Sequence, residues 1–119
     1  MTESTPKKIR PDDLQSFCIA AMVKNGLSQE DAELSARVFV TTDTWGTFTH
    51  GTRQIRGLMK NARRGRLVAT ARERIVNEGP SWAIIDACDG MPPSICCRAV
   101  ELAVEKARQS GMCYIGIRR

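Results

Sequence analysis

Apolar residues recur at Leu14, Phe17, Cys18, Ala21 and Met22, the i, i+3, i+4, i+7, i+8 interval that predicts a helix with one buried face. Asp12 and Asp13 suit its first turn, where carboxylates meet unpaired N–H groups, and Asn25-Gly26 supplies the stop. Ser28-Gln29-Glu30-Asp31 resembles a capping box with aspartate in the usual glutamate place. Ala32, Leu34, Ser35, Val38, Phe39 and Thr42 then trace a second apolar stripe, with Leu27 ready to fold back as a staple. The two helices are expected to pair antiparallel. The pattern breaks at Trp45-Gly46-Thr47-Phe48, and a third helix is predicted from Thr49 or His50. Its apolar side is Ile55, Leu58, Met59 and Ala62, its basic side Arg53, Arg56, Lys60, Arg63 and Arg64, and Gly65 ends it. Upstream, residues 1–6 read as a disordered tail and Lys7–Arg10 as a short edge strand ended by Pro11.

From Leu67 the periodicity changes. Arg74–Glu78 and Trp82–Asp86 predict two strands joined by a Gly79-Pro80-Ser81 turn. Asp89–Pro93 reads as a loop, a long helix follows from Pro93 or Ser94 to about Gln109, and Met112–Ile117 reads as a buried strand. The expected fold is α/β (α+β). A three-helix segment over residues 11–65 precedes a small strand-strand-helix-strand unit over residues 72–119, in one compact piece without repeats or linkers. A strand–helix–strand unit places functional groups in the loop after its final strand. Here the sequence stops at Arg118-Arg119, so a truncated domain is expected.

At 119 residues and 42% hydrophobic content the chain can bury a modest core. It has no apolar run long enough to span a bilayer, and its polar start lacks the apolar region of a secretory signal. A cytoplasmic location is expected, with no membrane partner. Five cysteines without framework spacing, and a single histidine, argue against a disulfide scaffold or a zinc site. The thiols are expected to be reduced and mostly buried. The net charge of +5 and pI near 9.2 raise nucleic-acid binding as an alternative function. The six basic residues from Arg53 to Arg66 carry that reading, a basic helical module for nucleic acid or a protein partner. No helix-turn-helix spacing, RNA-binding signature or zinc finger accompanies them, and a solvated helix face is the simpler account.

The candidate chemistry centres on the sole histidine. His50 near a helix N-terminus would sit beside the positive dipole end, which favours the neutral imidazole, a form suited to exchanging a proton with a substrate oxygen. Arg53, three residues on, would share its face and could hold a carboxylate in a two-point fork, with Thr49 beside the histidine. The alternative is a capping histidine and a solvent-facing arginine. Asp86 and Asp89 bracket a turn and could meet a metal or a ribose, a weak signal. Cys96-Cys97 have no second histidine as base and read as packing residues. There is no G-x-G-x-x-G, P-loop or serine-nucleophile elbow.

The succession Ser28-Gln29-Glu30-Asp31-Ala32, then Asp43-Thr44-Trp45-Gly46-Thr47-Phe48-Thr49-His50-Gly51, resembles the N-terminal part of the type-2 malate/L-lactate dehydrogenase family. That family also includes ureidoglycolate dehydrogenase, diketogulonate reductase and sulfolactate dehydrogenase. Asp86-Ala87-Cys88-Asp89-Gly90 and the segment from Ala99 to Gly111 match its later motifs, so the resemblance runs from about residue 9 to the end. It implies a non-Rossmann dehydrogenase fold, NAD or NADP as cofactor, 2-hydroxy or 2-oxo acids as substrates, and a homodimer. The family histidine matched by His50 serves as proton donor or acceptor at the substrate oxygen. The substrate arginine that many members carry four residues later is Gln54 here, so the resemblance leaves that role to Arg53 or Arg56. The family's glycine-rich turn before the long helix is Met91-Pro92-Pro93. Family chains also continue into an H-F-G segment and most of the cofactor-binding domain, so this chain alone is expected to be inactive.

Overall fold

The computed structural model describes residues 7–119; the tail expected over residues 1–6 lies outside them. Lys7–Arg10 form no strand. The sheet lies entirely within residues 74–118 and offers this segment no ladder; Arg10 instead becomes the N-cap of the first helix, its carbonyl accepting from Leu14 N–H.

Helix α1 spans Pro11–Lys24. Proline is tolerated at its start because the first N–H groups of a helix have no intrahelical partner. Cys18 and Met22 are buried, but Phe17 is 70% exposed. The inward row is Leu14, Cys18 and Met22, four residues apart, while Phe17 sits on the flank over a groove shared with the third helix. The predicted stripe was therefore one residue too wide. Gly26, at φ +100°, takes the left-handed turn that ends α1.

Helix α2 spans Gln29–Thr44 and is capped by Ser28, whose Oγ accepts from Asp31 N–H at 3.1 Å. Leu27 and Ala32, flanking that cap, both belong to the core cluster. Helix α3 spans Arg53–Arg63 and does not begin at Thr49 or His50. Gly46 at φ +83° leaves α2 in a left-handed turn. The chain then folds through successive turns, with Thr47 N–H on Thr42 O and His50 N–H on Thr47 O, before the third helix starts. Ile55 and Met59 face the core, and the five predicted basic residues of α3 and its end are exposed.

Strands β1 (Arg74–Gly79) and β2 (Trp82–Asp86) form an antiparallel hairpin closed by Pro80-Ser81, with a bulge between Ile75 and Asn77. Helix α4 (Pro92–Ser110) crosses over to β3 (Tyr114–Arg118), which pairs parallel to β2, giving the order β1-β2-β3. β2 is central, and Ala83 and Ile85 are buried. β3 is an edge strand, with Tyr114 65% and Ile117 41% exposed, so the buried strand expected from its apolar run is corrected. An apolar run shows what a strand can bury, and this one has a partner on one side only. Of the five free cysteines only Cys18 is buried and Cys96 is exposed, contrary to the expectation of mostly buried thiols. No helix among the described residues is long and apolar enough to cross a membrane.

Candidate active site

The segment between α2 and α3 is organised by one carboxylate. Asp43, in the last turn of α2, accepts at Oδ2 from Thr52 N–H at 3.1 Å and from Thr52 Oγ–H at 2.5 Å. Thr52 is the N-cap of α3, so a carboxylate borrowed from α2 satisfies donors that a helix start leaves unpaired. Gly51 is buried against the same group, and a Cβ added there would overlap the Asp43 carboxylate. The aspartate and the glycine are thus two halves of one lock.

The lock presents Thr49 and His50 on an exposed turn. Thr49 Oγ1 lies 2.9 Å from His50 Nδ1, and the Thr49 carbonyl accepts from Gln54 Nε2 at 2.6 Å. Thr49 and His50, neighbours in sequence, thus also meet through their side chains. Arg53 does not share a helical face with His50, because the histidine precedes the helix; the guanidinium is exposed at the first helical position. His50 lies just outside the helix, two residues before its N-cap Thr52. Gln54 spends its amide on the turn. Arg56 faces a groove of about 330 Å³ between α1 and α3, lined also by Phe17, Cys18, Ile55 and Met59.

Asp86 and Asp89 are engaged by the protein itself. Asp86 accepts from Cys88 N–H at 2.9 Å and faces Arg74 and Arg118 at 3.4 and 3.3 Å. The Cys88 N–H, then the Arg74 guanidinium, outweigh desolvation and hold its carboxyl below the ordinary range. Asp89 takes both Nε and Nη2 of Arg119 at 3.1 Å. No cluster of three metal-ligating side chains exists among the described residues. Asp89 borders a cleft of about 380 Å³ at the carboxyl ends of β2 and β3, with Gly90, Pro92 and Arg66 among its lining. A dinucleotide's pyrophosphate is held at such a place by free N–H groups of a helix N-terminus. Pro92 and Pro93 open α4 and carry none, so the first turn of α4 offers fewer donors to such a group. Desolvation and then Cys97 push the Cys96 thiol up, which disfavours its thiolate form.

A polar network escaped the sequence reading. Asp31, read only as a capping residue, is 3% exposed and receives Arg98 Nη1 from α4 at 2.6 Å and Arg72 at 2.9 Å. Arg98 also grips Glu73 with two bonds of 2.6 and 2.8 Å. Burial opposes the Asp31 charge, yet Arg98 and Ser28 outweigh it and its carboxyl stays below the ordinary range. The Arg98 hydrogen bonds likewise lower the Glu73 carboxyl, and the two carboxylates raise the Arg98 guanidinium. No spacing rule could have paired residues 67 positions apart.

The model of the malate/L-lactate dehydrogenase family matches residues 9–119. A malate dehydrogenase of Pyrococcus abyssi is 31% identical over 93% of this chain and 31% of its own length. A (2R)-3-sulfolactate dehydrogenase (NADP(+)) of Chromohalobacter salexigens is 29% identical over 88% of this chain and 31% of its own. The structure of a malate dehydrogenase from Pyrococcus horikoshii superposes on the whole chain with a TM-score of 0.89 at 26% identity, covering 36% of that protein. The chain therefore spans about a third of the length of the relatives it matches. With the family model matched over nearly all of its length, this chain belongs to the malate/L-lactate dehydrogenase family.

Proposed function

We propose that this chain carries the proton-transfer element of a nicotinamide-dependent oxidoreductase that interconverts 2-hydroxy and 2-oxo acids. The observation that carries the reading is the exposed Thr49–His50 pair, held on a turn fixed to both α2 and α3. With Nδ1 engaged by Thr49, the opposite ring nitrogen is free of hydrogen-bond partners among the described residues. In the reductive direction the imidazolium gives its proton to the carbonyl oxygen of a 2-oxo acid; in the oxidative direction the neutral ring takes it from the hydroxyl. Arg53 is the group for the substrate carboxylate, with Thr49 as a further contact. Malate and sulfolactate, named by the relatives, each carry a second anionic group, for which Arg56, one turn after Arg53, is the candidate partner.

A nicotinamide, NAD or NADP, would supply or accept the hydride at the adjacent carbon. The reading further holds that most of the cofactor site lies outside this chain, which alone neither binds the dinucleotide tightly nor turns over substrate, and that the working protein is a cytoplasmic homodimer.

Because the chain has one histidine, the test is direct. The His50 ring signals are followed by NMR while oxaloacetate, sulfopyruvate or a neutral ketone is added to the chain and to its Arg53→Gln variant. The expected result is a saturable shift with the acids only, weakened in the variant. Absence of any response overturns the assignment of His50, and NADH or NADPH oxidation by the chain alone overturns the placement of the cofactor site.

A further inference from the structure

We infer that Asp43 is a positioning residue for His50, acting through Gly51 and Thr52. The inference rests on the assignment of His50 as the proton-transfer group, but the geometry behind it is independent of substrate. Beyond the backbone bonds of the turn, two side-chain ties hold residues 49–52. On one side Gln54 Nε2 donates to Thr49 O at 2.6 Å, and both ends of that bond belong to the turn and the first turn of α3. On the other, Asp43 Oδ2 takes the N–H and Oγ–H of Thr52 while the carboxylate occupies the space that any side chain at position 51 would need. Of these two side-chain ties only the second reaches α2, and together with the backbone bonds of Thr47 to Thr42 and His50 to Thr47 it sets where His50 sits relative to that helix. His50 itself lies two residues before Thr52 and one before Gly51; a shift of either moves the imidazole.

A helix cap alone would need only the bond to Thr52 N–H. The Asp43 arrangement adds the hydroxyl and the close approach of Gly51, which over-determines the backbone one residue from the histidine. This is the preorganisation that a proton-transfer group requires, since small displacements of such a group carry large losses in rate. A negative charge at this cap also suits the positive end of α3. Asp43 itself does not touch substrate in this account.

The experiment uses the full chain and its single histidine. His50 ring resonances, hydrogen exchange of the Thr52 amide and thermal unfolding are measured for wild type and for Asp43→Asn, Thr52→Val and Thr52→Ser. The expected result is a displaced or broadened His50 ring signal and Thr52 exchange about tenfold faster in Asp43→Asn, as for a lost charge-assisted bond. Thr52→Val should displace the ring signal too, and Thr52→Ser, which keeps the hydroxyl, should restore it. Unfolding midpoints moving while the ring signal stays at its wild-type position in Asp43→Asn and Thr52→Val would overturn the inference and leave Asp43 a cap only. If Asp43→Asn does not fold, the Thr52 pair decides alone. The response of wild-type His50 to 2-oxo acids is a separate measurement, so failure of the functional reading and failure of this one are told apart.

Discussion

The guanidinium of Arg98 on α4 donates to the buried carboxylate of Asp31 on α2 at 2.6 Å, while its other nitrogens close a two-point grip on Glu73. This single side chain joins the helical layer, the segment leading into β1 and the helix that crosses the sheet. The side chains of Arg98, Asp31 and Glu73 are only 19%, 5% and 18% exposed, so removing the cation leaves Glu73 without its partner and Asp31 with Arg72 as its remaining cation in a poorly solvated place. Arg98→Met is expected to lower stability by about 3 kcal/mol, the cost of breaking one side of a buried pair. Arg98→Lys should recover only part of it, because an ammonium cannot serve both carboxylates in fork geometry. Urea denaturation of the three proteins checks this.

The same network sets the acid limit of the fold. Asp31 and Glu73 have folded-state values below their ordinary 3.8 and 4.5. In that acidic window the unfolded chain binds more protons than the folded one, so stability falls as pH falls. The contribution is fully present above the ordinary values and is lost as pH drops through the folded ones. Unfolding free energy measured from pH 6 to pH 2 should therefore decline most steeply below about pH 4.5, and the Arg98→Met protein should show a shallower decline.

Gly51→Ala is expected to destabilise the chain by about 1–3 kcal/mol, as overpacking does, because the methyl would overlap the Asp43 carboxylate. In an Asp43→Ala background the same substitution should cost much less, since the obstructing group is gone. A double-mutant cycle on unfolding midpoints reads the coupling, and additive effects would contradict the close approach.

Two neighbouring apolar positions on α1 should behave oppositely. Met22 is fully buried and Phe17 is 70% exposed. Met22→Ala is expected to cost about 2–5 kcal/mol, and Phe17→Gln within about 0.5 kcal/mol, as surface changes do. Comparison of denaturation midpoints separates the inward row of the helix from its flank.

His50→Gln should abolish the imidazole response to added 2-oxo acids while leaving the fold intact, since the ring is exposed and, among the described residues, its hydrogen bond is to Thr49. Circular dichroism of the variant checks the fold.

The order of elements, their approximate ends and the family were legible in the residues, because these depend on local chemistry. Ser28 with Asp31, Gly26, Gly46 and Gly111 act within a few positions of themselves, through caps and left-handed turns that the spacing shows. The motif around His50 likewise kept its identity without any knowledge of its shape. What tertiary structure decided was everything resting on distant partners. Asp43 reaches across the turn to Thr52, so α3 starts three residues after His50 instead of at it. Asp31 is a buried anion because Arg98 arrives from 67 positions away. Phe17 and the β3 edge are exposed because nothing within the described residues packs over them, although their sequences are as apolar as those that are covered. Hydrophobic periodicity tells which side of an element can be buried, and only the arrangement of elements tells which side is.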